Sequence, residues 1–195
     1  MPDAETPQIE HIDTILKLPE TRGGVDNALL KAEQWVLQFD GGASLKRKVG
    51  SGGVVIWHPG GYVVDAHAQW FASNKPTVNC AKMAALVWGL ELLVGRQAGG
   101  RVLVLGDSEL TIDFCTRKAS PGKPELFRGL KHINALRREV QGAVVFRHIG
   151  RNNNQLADCL TRVASQLQRS VAVEGKLPAD ITLFAGPVWD PKLSE

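Results

Sequence analysis

Only three cysteines occur in the 195 residues, Cys80, Cys115 and Cys159, and no two of them form a CxxC pair. An odd, scattered set counts against a disulfide framework or a zinc site and points to a reducing, intracellular setting. Long hydrophobic runs are also missing. None approaches the ~18 residues a membrane span needs, no signal-peptide pattern opens the chain, and no membrane partner is expected. Nothing repeats internally. Charged residues make up 22% and hydrophobic residues 44%, which are globular values rather than those of a disordered chain. The length suits one domain with tails, large enough to bury a core.

What is present is an uneven charge. Residues 36–165 carry 17 Lys+Arg against 9 Asp+Glu, whereas residues 1–35 carry 3 against 7 and residues 166–195 carry 3 against 4. A basic centre between mildly acidic flanks attracts polyanions, and nucleic acid is the first candidate.

Periodicity divides the chain. Residues 1–34, with scattered Pro and Gly, read as an acidic leader or linker. Residues 35–40 read as a strand, Gly41-Gly42 as a turn, and 52–57 as a second strand after the basic turn Lys46-Arg-Lys48. Pro59-Gly-Gly61 signals a hairpin into a third strand, from Tyr62 to about Phe71. Helical spacing then takes over from about Thr77 to Val94, with Gly95 as a stop. A short apolar strand at 102–105 precedes helices at 109–117 and 124–140. A fifth strand at 143–148 and a last amphipathic helix from 152 to about 169 follow. The order βββαβααβα predicts an α/β domain over 35–170, a five-stranded mixed sheet flanked by helices. Residues 171–195 read as an irregular tail.

Three aspartates stand at informative places. Asp40 closes the first strand, Asp107 follows the fourth, and Asp158 lies in the first turns of the last helix. If the first and fourth strands are parallel neighbours, Asp40 and Asp107 share one sheet edge, where open α/β sheets bind ligands. Asp158 can reach the same edge. Carboxylates so gathered need a cation, and oxygen-only ligands suit Mg²⁺ or Mn²⁺.

Four segments carry a resemblance: Phe39-Asp-Gly-Gly-Ala-Ser44, Pro76-Thr-Val-Asn79, Gly106-Asp-Ser108 and His148-Ile-Gly-Arg-Asn-Asn-Asn-Gln-Leu-Ala-Asp158. In order and spacing this resembles the type 1 ribonuclease H family, particularly the RNase H domains of retroelement reverse transcriptases, over about Trp35–Ser165. The resemblance implies a ribonuclease H-like fold. It also implies hydrolysis of the RNA strand of RNA–DNA hybrids by two Mg²⁺ ions held on four acids. Asp40, Asp107 and Asp158 match three of those acids, and His148 matches a loop histidine tied to proton movement and product release. Asn79 matches a residue that contacts the hybrid's minor groove, Thr77 one near a DNA phosphate, and Asn154 falls among the substrate-binding positions. From composition alone, Asn152-Asn-Asn154 would simply cap the last helix.

The fourth acid is absent. Its place, three residues after Asn79, is held by Lys82. An ammonium there would compete with metal for Asp40 and Asp107 and remove a ligand, leaving one ion or none; the bland alternative is a lysine that snorkels to solvent. Glu91 lies on the opposite helix face, and the family does not use the position of Glu109. Arg128, Lys131 and Arg138 form a stripe on the 124–140 helix, with His132 beside it, that could follow a phosphate backbone or simply be solvated. Two readings lead, ahead of a third, another nuclease or transposase of the same fold superfamily, which Gly106-Asp-Ser108 and the His148-to-Asp158 spacing count against. One is a ribonuclease H-type nuclease, weakened or inactivated by Lys82, that binds RNA–DNA hybrid or a related duplex. The other is a pseudonuclease that binds or scaffolds, meeting protein partners through its leader or tail.

Overall fold

The computed structural model describes residues 33–60 and 63–174. The acidic leader up to residue 32 and the tail beyond Glu174 lie outside them. Five strands run as expected: β1 (Trp35–Ser44), β2 (Val49–Trp57), β3 (Val63–Ala72), β4 (Arg101–Gly106) and β5 (Ala143–His148). Four helices are interleaved: α1 (Val78–Gly95), α2 (Glu109–Cys115), α3 (Pro124–Glu139) and α4 (Gln155–Leu167). The sheet order is β5-β4-β1-β2-β3-β6, where β6 (Val171–Glu174) pairs antiparallel with β3. β6 corrects the reading of an irregular tail from 171 onward. Its four residues carried too short a pattern to separate from a loop.

Strand alternation splits the core in two. Leu37, Phe39, Val54 and Ile56 face α1, α2 and α3, whereas Val36, Val55 and Trp57 face α4. Helix α1 is long and apolar enough to cross a membrane by length and composition, contrary to the sequence reading. Its place in the fold explains that apolarity: Leu86, Leu90 and Leu93 are fully buried in the domain core. The helix starts are set locally. Thr77 accepts a hydrogen bond from Cys80 N and caps α1, Ser108 does the same for α2 through Thr111 N, and Pro124 opens α3.

Gly41-Gly42 is not a turn. β1 continues through both glycines, with Gly41 opposite Gly52 on β2. A Cβ at Gly41 would overlap Lys82 N and Ala81 C, and one at Gly53 would overlap Ala157 O. These glycines let α1 and α4 press onto opposite faces of the sheet. The close approach at Gly41 is what carries Lys82 to the end of β1.

Candidate active site

β1 and β4 are parallel neighbours, and their last pair is Phe39 opposite Gly106. Asp40 and Asp107 are the next residues on each strand, so both carboxylates stand together at the strands' carboxyl edge. Asp158 arrives by a different route. On β1, the Gln38 side chain donates to Asn153 O at 3.1 Å and accepts from Trp57 Nε1 at 2.8 Å. Asn154 donates from Nδ2 to Phe39 O at 2.9 Å. These bonds tie the 3₁₀ turn Arg151–Asn153 and the start of α4 to β1, and Asp158 lies within the first turns of α4. All three aspartates line one open cleft of ≈ 600 Å³, together with Lys82, Arg151 and Arg162.

Lys82 does not snorkel to solvent. Its Nζ donates to Asp40 Oδ1 at 2.6 Å and to Asp107 Oδ1 at 2.7 Å, and its side chain is only 13% exposed. Burial pulls the ammonium toward its neutral form. The hydrogen bonds that the ammonium donates to Asp107 and Asp40 outweigh that pull, and the lysine pKa lies above its ordinary value. Burial also pushes the Asp40 carboxyl up, and Lys82 offsets only part of that push. Asp158 has partners of its own: Arg162 NH2 donates to Oδ2, and Arg151 NH2 lies 3.7 Å from Oδ1. Each acid therefore faces a cation supplied by the protein.

These residues do not fit a pair of divalent ions. Lys82 stands at the position where the resemblance puts the fourth acid, and its ammonium engages one oxygen each of Asp40 and Asp107. Among the described residues no group of three or more His, Cys, Asp or Glu is arranged to hold a metal ion. A divalent ion would have to displace the Lys82 ammonium from both carboxylates before it could use those oxygens.

Other expected residues fall in several places. His148 is exposed at the end of β5, with Nε2 3.3 Å from Asp107 O, beside the aspartate cluster. Thr77 is the α1 cap and Asn79 is half-buried in the first turn. Asn154 is wholly buried; it holds the helix N-cap position without a side-chain cap bond and serves as a strut to β1. Arg128, Lys131 and Arg138 are exposed on α3, away from the cleft lining. Glu91 is indeed turned elsewhere, 3.8 Å from His132. Arg151 and Arg162 were missed, although the Asp158–Arg162 spacing of four is a helical ion-pair signal.

The reverse transcriptase-like family profile matches residues 38–164, about two thirds of the chain. The chain belongs to the reverse transcriptase-like family. No curated protein sequence matches it. Among solved structures, RNase H1 from the archaeon Halobacterium salinarum superposes with TM-score 0.61 at 23% identity, covering 68% of this chain and 97% of that one. LC11-RNase H1 in complex with RNA/DNA hybrid gives 0.61 at 26% identity, covering 67% and 95%. The protease-reverse transcriptase of Prototype Foamy Virus gives 0.53 at 18% identity, covering 68% of this chain and 21% of that one. The domain is thus a type 1 ribonuclease H-like member of the reverse transcriptase-like family, with a sixth strand added at the β3 edge.

Proposed function

We propose that this chain is a ribonuclease H-like domain that binds RNA–DNA hybrid or a closely related duplex and does not cleave it efficiently. The single observation that carries this reading is the Lys82 ammonium, hydrogen-bonded to both Asp40 and Asp107. The family chemistry requires a divalent cation among these acids to activate water and stabilise the leaving oxygen. An ammonium offsets one of the two carboxylate charges but has no open coordination position on which to activate water.

Binding is a separate matter from turnover, and different features support it. A basic central segment carries the exposed residues Arg128, Lys131 and Arg138 on α3, which supply a salt-dependent attraction to phosphates. Thr77 and Asn79 in the first turn of α1, and His148 beside Asp107, are the proposed contacts nearer the cleft. Similarity to LC11-RNase H1, solved on an RNA/DNA hybrid, supports hybrid as the first duplex to try. Recognition would follow A-like groove shape and 2′-hydroxyls rather than base sequence.

The test is a labelled hybrid incubated with Mg²⁺ or Mn²⁺ and the native protein, Lys82→Glu or Asp107→Asn. The reading expects hybrid binding without cleavage by the native chain, and cleavage gained by Lys82→Glu. Native cleavage that Asp107→Asn abolishes would overturn it. Lys82→Glu binding hybrid but remaining inert would show that more than the residue at 82 is missing.

A further inference from the structure

Asp158 is paired within the protein, and the pairing suggests a ligand. In a metal centre this carboxylate would offer its oxygens to a cation from solvent. Here Arg162 takes Oδ2 and Arg151 approaches Oδ1. The carboxylate side chain is 11% exposed, while Arg162 and Arg151 are 64% and 77% exposed. A surface ion pair four residues apart on a helix contributes little to stability. Two arginines on one buried acid leave a local excess of one positive charge at the mouth of the cleft. Each guanidinium has five N–H donors, and contact through one nitrogen leaves the remainder facing water.

We infer that Arg151 and Arg162, held in place by Asp158, form a seat for a phosphate group that binds without any divalent ion. The inference rests on the duplex-binding reading and names the contact by which the cleft would hold the backbone. Three observations carry it. Three acids confront three cations in the cleft, so the repulsion that an all-acid pocket exerts on phosphate is cancelled. Both guanidinium groups line a cleft of ≈ 600 Å³, ample for a phosphodiester. Planar guanidinium forks also match phosphate oxygens in a way a lysine point charge does not. The acid that elsewhere would hold a metal for the phosphate instead aims two cations at it.

The measurement has two arms. First, inorganic phosphate is titrated into the full chain in EDTA while the Arg Nε–Hε signals are followed by NMR. The seat predicts saturable shifts of the Arg151 and Arg162 signals. Second, binding of a labelled hybrid is measured across salt concentrations, in EDTA and in Mg²⁺. Arg151→Gln/Arg162→Gln should weaken binding on the order of 10-fold and flatten the log–log salt slope by roughly two. Arg151→Lys/Arg162→Lys should restore the slope but not the full affinity, and EDTA should make no difference to the native chain. Phosphate leaving both signals still, or a Gln double variant that stays folded and binds hybrid like the native chain, would overturn the seat. Phosphate shifts with no hybrid binding would sink the duplex reading while leaving the seat for a smaller phosphate ligand.

Discussion

Helix α1 carries at each end an ion pair made to a buried carboxylate, and the two differ instructively. Just beyond its last turn, Arg96 grips Asp65 on β3, with NH2 2.9 Å from Oδ1 and 3.1 Å from Val64 O, and Asp65 is 2% exposed. A cation there suits the negative end of the helix dipole. Near the start, Lys82 holds Asp40 and Asp107 against the positive end of the same dipole. Helix electrostatics therefore explain Arg96 and oppose Lys82. Only the two carboxylates at the strand ends account for the lysine's position. One pair staples a helix to a sheet; the other fills a cleft that opens to solvent.

Breaking each pair should separate these roles. Lys82→Met leaves buried Asp40 and half-buried Asp107 without a partner and should destabilise the fold by about 3–5 kcal/mol in urea unfolding. Lys82→Glu should lose at least as much in EDTA, and Mg²⁺ should raise its Tm while leaving the native Tm unchanged. Asp65→Asn should cost less, about 2 kcal/mol, through loss of charge-assisted hydrogen bonds. It should leave hybrid affinity untouched, because Asp65 lies outside the cleft lining. A fall in hybrid affinity with Asp65→Asn would erase the distinction between staple and cleft.

The pH dependence sharpens the contrast. Burial pushes Asp65 up, but Arg96 and His67 more than reverse this, and its folded pKa lies below the ordinary 3.8. The native state therefore binds that proton less than the unfolded chain. Its stabilisation is present above pH 3.8 and is lost as pH falls through the depressed value. Lys82 is raised above its ordinary 10.5, so its stabilisation is full below that pH and is lost as pH rises through the folded value. Asp40, raised by burial, adds an opposing acid-side slope. Asp65→Asn should flatten the acid limb of a stability profile and Lys82→Met the alkaline limb. The smallest expected effect is on thiol labelling. Burial pushes Cys115 up to about 12 and Cys159 up to about 11, so both should resist labelling, and half-buried Cys80, the most accessible of the three, should be labelled first. Rapid labelling of Cys159 would mean that α4 packs loosely beside Asp158.

Much of this was legible in the chain. The apolar runs ending in Asp40 and Asp107 fixed two parallel strand ends, because a fully covered strand reads as a continuous hydrophobic stretch. Lys82 could be placed only through the resemblance, three positions after Asn79; the threonine cap that starts its helix emerged from the structure. Gly41-Gly42 was harder. Paired glycines signal a turn as readily as a close helix approach, and only the packed α1 decides between them. β6 escaped because four residues hold barely two periods. Arg151 and Arg162 were overlooked for a different reason: an arginine near an acid is ordinary on a surface, and only the burial of Asp158 makes this pair distinctive.

Mn²⁺ titration followed by paramagnetic broadening of backbone amides tests the central assignment most directly. With Lys82 in the cation's place, the amides of Gly41 and Ser108, next to the two aspartates, should stay sharp in the native chain and broaden in Lys82→Glu. Selective broadening of those amides in the native chain, removed by Asp107→Asn, would mean that the ammonium yields its place to a metal, contradicting the account.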